Sequence, residues 1–310
     1  MTDLAEQRFT RGDTTLVWDS FGDRDSELVF VLLHGLGLGR SVFDELAPRL
    51  SSHGWVIRVD LPGFGDSPVL RRGESVNETA RLLLGLLEQQ GIDSAVLVGH
   101  WMGTQLAVEV SLQRPDAALA LVLIAPVIDP AARSSSVLFR RMVRDMYDDS
   151  AKVLMKGLWL YCRAGVPMYF RKLRMMLAYR MDLSLPRVNV PVLIVRGQTD
   201  IVSPIEWCTA AAALAPDGRL IEIAGCGHET FINDPEPTAV AIEVFLREIG
   251  FPTARQGAHT TAGPAAERPS SRRKTTSTHV CPDGSAGTTI SVSLTTAKLD
   301  SCPGRTIPHR

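Results

Sequence analysis

The chain has 310 residues, 45% of them apolar, so it is long enough for one large α/β domain with an appendage. Its formal net charge is −1 at pH 7, which gives no reason to expect nucleic acid or a membrane surface as a partner. The five scattered cysteines, the lack of a secretory signal pattern and the lack of an apolar run of about 18 residues predict a cytoplasmic protein without a metal site.

Short apolar runs recur along the first 250 residues and alternate with amphipathic stretches. Continuous runs of this kind suit strands that are buried on both faces of a parallel sheet. The predicted strands are 28–33, 55–59, 95–98, 119–124, 192–195 and 220–223, preceded by a hairpin at 8–10 and 14–19. Helices are predicted at 75–90 and 102–113. The alternation of strand and helix predicts an α/β fold with a doubly wound, mostly parallel sheet.

Two segments depart from this alternation. Residues 131–186 read as helices rich in methionine and aromatic residues, and they predict a small helical lid over the carboxyl edge of the sheet, where open α/β sheets bind ligands. Residues 251–310 are rich in Ser, Thr, Pro and Gly, and they predict a disordered tail with at most a short strand at 288–294. The core would then comprise residues 1–130 and 187–250.

The first predicted strand of the parallel set ends in His34-Gly35-Leu36-Gly37. Glycines allow the backbone to turn sharply and to direct N–H groups into a cleft. The second strand is followed by Asp60-Leu61-Pro62-Gly63-Phe64-Gly65-Asp66-Ser67, a tight loop in which Asp60 can bond its own backbone and Phe64 either faces a pocket or fills the loop. Both loops lie at the carboxyl edge of the predicted sheet.

A third motif, Gly99-His100-Trp101-Met102-Gly103, stands between a strand and a helix. The next two are Gly197-Gln198-Thr199-Asp200 after a strand, and Gly225-Cys226-Gly227-His228 after the last predicted strand. In their order and spacing, these five motifs resemble those of the α/β-hydrolase superfamily, whose nucleophile stands on a sharp turn between strand and helix. The resemblance extends from residue 28 to residue 249.

The resemblance implies a role for most of the motif residues. His228 would be the catalytic base, Asp200 would orient it, and the backbone N–H groups of Leu36 and Met102 would stabilise an oxyanion. The substrate would be a small, largely apolar molecule, and the expected pocket residues are His34, Phe64, His100, Trp101 and Trp159. No metal and no organic cofactor is expected, and a homodimer remains open.

The nucleophile position is the exception, because it holds Trp101. The superfamily has Ser, Cys or Asp at this position, whereas an indole has one N–H donor and no nucleophilic atom. One hypothesis is an enzyme that uses the His228–Asp200 pair alone, for general-base hydrolysis, lyase-type or other proton-transfer chemistry. The alternative is an inactive pseudo-hydrolase that binds a small ligand or a partner protein.

A third hypothesis places the nucleophile elsewhere. The candidates are a hydroxyl or a thiol near one of the motifs: Thr104, Ser67, Ser203 and Cys226. Each would need to reach both the base and the substrate, so the geometry of these residues decides whether any of them can serve.

Overall fold

The computed structural model describes residues 4–69, 75–127, 166–232, 234–251 and 292–296, and these residues form nine strands in one sheet. The strands are β1 Leu4–Arg11, β2 Thr14–Phe21, β3 Val29–Leu33, β4 Trp55–Asp60, β5 Ala95–His100, β6 Ala118–Ile124, β7 Val192–Gly197, β8 Gly218–Ile223 and β9 Val292–Thr296. The α-helices are α1 Ala47–Leu50, α2 Val76–Gln89, α3 Met102–Gln113, α4 Val166–Ala178, α5 Met181–Ser184, α6 Ile205–Leu214 and α7 Glu236–Glu248.

The strands follow the order β1-β2-β4-β3-β5-β6-β7-β8-β9. Six neighbouring strands of this order, β4, β3, β5, β6, β7 and β8, are parallel to one another. The pairs at the two ends of the sheet are antiparallel. The order reverses between β4, β3 and β5, so consecutive crossovers run in opposite directions along the sheet. This is the doubly wound, mostly parallel sheet predicted from the sequence, which is therefore confirmed.

Two hydrophobic cores lie on opposite faces of the sheet, because successive side chains of a strand point to opposite faces. In β3, Val31 and Leu33 enter the core that also holds α2, α3 and α6. Phe30 and Leu32 enter the core that holds α1 and α7. Every residue of β3, β4, β5 and β7 is buried, which explains why these strands are continuous apolar runs rather than alternating ones.

The helix ends follow local signals in the sequence. Helix α2 starts with a capping box, in which the Ser75 hydroxyl accepts from the N–H of Glu78 and the Glu78 carboxylate accepts from the N–H of Ser75. Helix α3 starts directly after Trp101, so the predicted elbow and the amino end of α3 coincide. No helix in the described ranges has the length and apolar character needed to cross a membrane.

The predicted lid lies partly outside the described residues, and Trp159 is one of the residues outside them. Its described part comprises α4 and α5, which pack against the α3 side of the sheet. Leu173 and Met176 are buried in that core, the Gln105 amide donates to the Met176 carbonyl (3.0 Å), and the Tyr179 hydroxyl donates to Glu109 (3.0 Å). The lid boundaries remain predictions.

The described part of the tail is one strand, β9, which overlaps the strand predicted at 288–294 at residues 292–294 and continues for two more residues. Strand β9 pairs antiparallel with β8, with Val292 opposite Ile223 and Thr296 opposite Arg219. Residues 292–296 were predicted to be disordered apart from a short strand at 288–294, and the strand in the structure lies partly beyond that segment. The physical reason is that β8 has an open edge, which any nearby extended segment can pair with.

Candidate active site

The turn at Trp101 has a strained backbone, with φ 52° and ψ −111°. A positive φ is unusual for a bulky residue and marks a position that the surrounding structure enforces. The flanking glycines allow the close packing of this turn. A Cβ atom on Gly103 would lie 2.0 Å from the Leu33 carbonyl oxygen, and one on Gly99 would lie 2.4 Å from the Gly103 oxygen. The elbow geometry is therefore complete, with an indole at its tip.

The Trp101 side chain lies between the first glycine loop and the candidate base. A Cβ atom on Gly35 would lie 3.1 Å from both Cβ and Cε3 of Trp101. The rings of Trp101 and His228 meet edge to face, with 5.8 Å between centroids. The indole is 5% exposed, and its N–H has no hydrogen-bond acceptor among the described residues. The indole thus occupies the space where a smaller nucleophile would stand beside the histidine.

Asp200 and His228 form a buried hydrogen-bonded pair. One Asp200 oxygen, Oδ1, accepts from the N–H groups of Val202 (2.7 Å) and Ser203 (2.8 Å), which fixes the carboxylate. The other, Oδ2, lies 2.9 Å from Nδ1 of His228. Because a carboxylate can only accept, Nδ1 carries the proton and Nε2 is the basic nitrogen of the neutral ring. The arrangement is that of an oriented general base.

Arg196 supports the aspartate loop, and the sequence analysis missed it. Its guanidinium donates to the backbone carbonyls of Asp200 (2.9 Å) and Ser203 (3.2 Å), and it also pairs with Glu222. Arg196 is 4% exposed at the end of β7. A charged residue in an otherwise apolar buried strand was the signal in the sequence, since such a residue needs partners.

His34 was predicted to line the pocket, but its ring is fully buried and both of its nitrogens bind backbone groups. Nδ1 donates to the Gly35 carbonyl (2.7 Å), and Nε2 accepts from the Leu61 N–H (2.9 Å). Burial lowers the pKa of His34, which keeps the ring in this neutral tautomer. Phe64 is also buried and packs edge-on against His34, at 5.7 Å between centroids. The pair ties the first glycine loop to the loop after β4.

A second link between these two loops is the ion pair of Arg40 with Asp60, which the sequence analysis did not find. Arg40 also donates to Asp19 (2.9 Å) and Asp66 (3.1 Å), and Asp60 accepts from the N–H of Asp66 (2.9 Å). Leu36, one of the two predicted oxyanion donors, lies in the loop that this network holds. The other, Met102, is the first residue of α3, so its N–H has no acceptor within the helix.

His100, which was also predicted to line the pocket, lies beside His228. Its ring is fully buried, 5.3 Å from the His228 ring and 5.0 Å from the Phe231 ring. Burial, followed by the nearby charge of His228, lowers the pKa of His100 well below its ordinary value. Phe231 is fully buried and was not predicted, because an isolated phenylalanine in a loop has no distinctive pattern in the sequence.

The displaced-nucleophile hypothesis is not supported by the hydroxyl geometry. The hydroxyl of Thr104 donates to the Trp101 carbonyl (2.6 Å), that of Ser67 to Asp60 (2.7 Å) and that of Ser203 to Pro126 (3.0 Å). These buried hydroxyls are engaged with the backbone. Burial also raises the pKa of the Cys226 thiol, which disfavours the reactive thiolate.

Known proteins share this architecture. A model of the Alpha/beta hydrolase family matches residues 30–243. A pimeloyl-[acyl-carrier protein] methyl ester esterase of Aromatoleum aromaticum is 28% identical over 252 residues, which are 70% of this chain and 97% of that protein. The dihydrolipoyllysine-residue acetyltransferase component of an acetoin cleaving system of Pseudomonas putida is 28% identical over 267 residues, 79% of this chain and 70% of that protein.

A solved structure shows the same similarity. A thermophilic esterase from Thermogutta terrifontis superposes with a TM-score of 0.67 at 25% identity, over 79% of this chain and 99% of that one. The family model covers more than half of the chain, and its matched region contains the elbow, Asp200 and His228. By its sheet order, its elbow and this match, the chain belongs to the alpha/beta hydrolase family.

Proposed function

We propose that this protein is an enzyme that acts on a small, largely apolar molecule with His228 as general base, Asp200 as its orienting partner and no covalent intermediate at the elbow. The observation that carries the proposal is the intact pair, in which Asp200 is held by two backbone N–H groups and bonds Nδ1 of His228. A buried aspartate in this geometry costs free energy unless it is fully bonded, and here it is.

The proposed step is a proton transfer to Nε2 of His228. The proton would come from a water molecule, whose oxygen attacks an ester or lactone carbonyl, or from an acidic C–H or O–H group of the substrate. The resulting imidazolium is stabilised by Asp200 and returns its proton to the leaving group. The N–H groups of Leu36 and Met102 are the proposed donors to the developing oxyanion.

Trp101 has a defined place in this proposal. Its indole N–H is buried without an acceptor among the described residues, so a substrate oxygen could accept from it. Its ring would form a flat wall beside His228. The 28% identical methyl ester esterase makes an ester the first reaction to test. The proposal requires neither a metal nor an organic cofactor, because both proton-transfer groups belong to the chain.

One observation favours the second candidate, a non-catalytic binding protein. Trp101 packs against both Gly35 and His228, so it fills part of the space in which reacting atoms would lie. A protein of this kind would retain the Asp200–His228 pair as structure and would use the remaining pocket for a small ligand or a partner.

The test is ester turnover by the full chain and by three variants, with p-nitrophenyl acetate as the first substrate. We expect H228A to lose roughly 10²–10⁴-fold in rate, D200N to lose less, and W101F to lose about tenfold through its missing N–H. An H228A rate equal to that of the unaltered chain would exclude the proposal. Tight ligand binding without turnover over hours would support the binding protein instead.

A further inference from the structure

We propose that Arg196 is a positioning residue of the proposed reaction, and that its planar fork of N–H donors, rather than its positive charge, holds Asp200 against His228. This inference rests on the proposed function and names a residue that acts on the reaction through Asp200. Arg196 precedes the last residue of β7 and is 4% exposed. A cation buried to this extent needs bonded partners to replace its lost hydration.

All three nitrogens of the Arg196 guanidinium are bonded, and three of the four acceptors are carbonyls of one loop. Nε donates to Ser203 (3.2 Å), and Nη2 donates to Gln198 (3.3 Å) and Asp200 (2.9 Å). Nη1 donates to the Glu222 carboxylate. Arginine presents five N–H donors in a rigid plane, whereas lysine presents three donors from one atom. A lysine therefore has fewer donors than these four acceptors require.

Asp200 bonds the same loop through the complementary groups. Its Oδ1 accepts from the N–H groups of Val202 (2.7 Å) and Ser203 (2.8 Å). Arg196 thus bonds carbonyl groups of the loop, and Asp200 bonds its N–H groups. Asp200, Val202 and Ser203 are buried, so a backbone group that lost its partner here would be costly to leave unpaired. We therefore expect the position of the Asp200 carboxylate to depend on Arg196.

The end of β7 also lies against the loop that carries His228. A Cβ atom on Gly197 would lie 2.0 Å from the Gly227 oxygen, so no side chain fits between the two loops at this point. The N–H and the hydroxyl of Thr199 both donate to the Cys226 carbonyl, at 3.0 Å and 2.9 Å. A displacement of the aspartate loop would therefore be transmitted to the histidine loop, and the 2.9 Å hydrogen bond to Nδ1 of His228 would change with it.

The positive charge of Arg196 is compensated by its surroundings. The Glu222 carboxylate on β8 pairs with the guanidinium. The Cys208 thiol is also close enough to be affected by this charge, and burial raises the pKa of this thiol, so it stays neutral at neutral pH. An ion pair has a weaker field at a distance than a single charge has, because the two contributions partly cancel. The geometry of the fork can therefore be tested separately from its charge.

The test compares the unaltered full chain with R196K and E222Q. R196K keeps the charge and loses the fork, whereas E222Q removes the compensating charge and keeps an oxygen acceptor. The first measurement is amide hydrogen exchange by NMR at Val202 and Ser203, whose N–H groups bond Asp200. We expect R196K to speed this exchange at least about tenfold relative to the amides of β5, which report global unfolding, because bonds from a charged donor are among the stronger ones. E222Q should change it by less than about threefold.

The second measurement is the Nδ1 proton of His228, observed by NMR in a chain with isotopically labelled histidine. A proton held between Nδ1 and the Asp200 carboxylate exchanges slowly with water and gives a separate signal. We expect this signal to persist in E222Q and to be lost to exchange in R196K. The matched control is R219K, which removes the same fork from an arginine of β8 that pairs with Asp217 and Glu248, and it should keep the signal.

Unchanged exchange at Val202 and Ser203 in R196K would overturn the inference, and so would an equal effect of E222Q or R219K. If R196K does not fold, R196Q/E222Q replaces it, because this double variant removes the fork together with both charges. With p-nitrophenyl acetate, R196K should lower kcat about tenfold and leave KM unchanged. If the full chain shows no His228-dependent turnover, the proposed function fails, whereas the two NMR measurements still decide the role of Arg196.

Discussion

At the scale of single residues, Trp101 has the backbone of a nucleophile elbow without the nucleophile. Its φ of 52° is held by the hydrogen bond from its N–H to the Ile124 carbonyl (3.0 Å) and by the amino end of α3. Backbone strain of this kind costs on the order of 1–3 kcal/mol and persists only where neighbouring structure enforces it. Because the enforcing contacts come from the backbone, a smaller side chain at residue 101 should keep the same turn.

We therefore expect W101S to gain esterase activity. The substitution places a hydroxyl on the elbow and vacates the space beside His228, so that the oriented base can activate the hydroxyl. The rate with p-nitrophenyl acetate should exceed that of W101A by roughly a hundredfold or more. W101A is the matched control, because it opens the same space without adding a hydroxyl.

A covalent probe gives an independent readout of the same substitution. A fluorophosphonate should label W101S and should not label W101A or the double variant W101S/H228A. Equal rates for W101S and W101A, together with no labelling, would show that the Asp200–His228 pair cannot activate a group at the elbow.

His100 provides a residue-scale prediction for pH. Its pKa is lowered in the folded protein, mainly by burial, so the unfolded chain takes up a proton near pH 6.5 that the folded chain does not. The stability contributed by the neutral ring is complete above about pH 6.5 and is lost as the pH falls. We expect H100F to show a shallower decline between pH 6 and 5, by up to about 1.4 kcal/mol per pH unit.

Urea denaturation at several pH values measures this decline. The phenylalanine preserves the edge-to-face contact with Phe231. If H100F and the unaltered chain lose unfolding free energy in parallel between pH 6 and 5, His100 is not the group that couples stability to pH.

At the scale of elements, the contact between β3 and α3 positions the elbow. Gly103 lies in the first turn of α3, and its Cα approaches the Leu33 carbonyl so closely that no side chain fits between them. Gly35 makes the corresponding approach to the Trp101 side chain. Gly103 and Gly35 therefore set the distance between the loop after β3 and the elbow. The predicted oxyanion donors, Leu36 and Met102, lie on these two segments.

We expect G103A to destabilise the protein by about 3 kcal/mol, because its Cβ would lie 2.0 Å from a backbone oxygen that cannot move freely. The control is G12A in the β1–β2 turn. A Cβ at Gly12 meets nothing within 4 Å, and its φ of 65° alone should cost only about 1 kcal/mol. Equal losses in the two variants, measured by urea denaturation, would show that the close approach does not limit stability.

At the scale of the whole molecule, the two edges of the parallel part of the sheet are covered by different parts of the chain. The β1–β2 hairpin covers the edge of β4, whereas β9 reaches the edge of β8 from a segment far along the chain. Long insertions cost little loop entropy, so a distant segment can supply an edge strand if its pairing is favourable. Edge strands left open are prone to pair with other chains.

We expect a chain ending at residue 251 to exchange its β8 amide hydrogens faster than the full chain. The effect should be confined to amides of Gly218–Ile223 that face β9, since those that face β7 keep their partners. Hydrogen exchange followed by mass spectrometry measures this. Indistinguishable exchange in the two chains would show that residues 292–296 do not pair with β8 in solution.

The sequence alone determined the fold class and the identity of the dyad. Strands that are buried on both faces are rich in apolar residues, so β3, β5, β6 and β7 could be read directly from the apolar runs of the sequence. Asp200 and His228 followed from their motifs, because short glycine-containing loops at strand ends keep their form from one member of a superfamily to another. The missing nucleophile was also visible, since it is a matter of residue identity.

The tertiary structure decided which contacts the motif residues make. His34 and His100 belong to motifs, and both rings are fully buried against Leu61 and Phe231, which lie far from them in the chain. For the same reason the sequence did not reveal the link from Arg40 to Asp60 or the support of Asp200 by Arg196. Each depends on contacts between distant segments, and periodicity within one segment carries no information about which segment will lie opposite it.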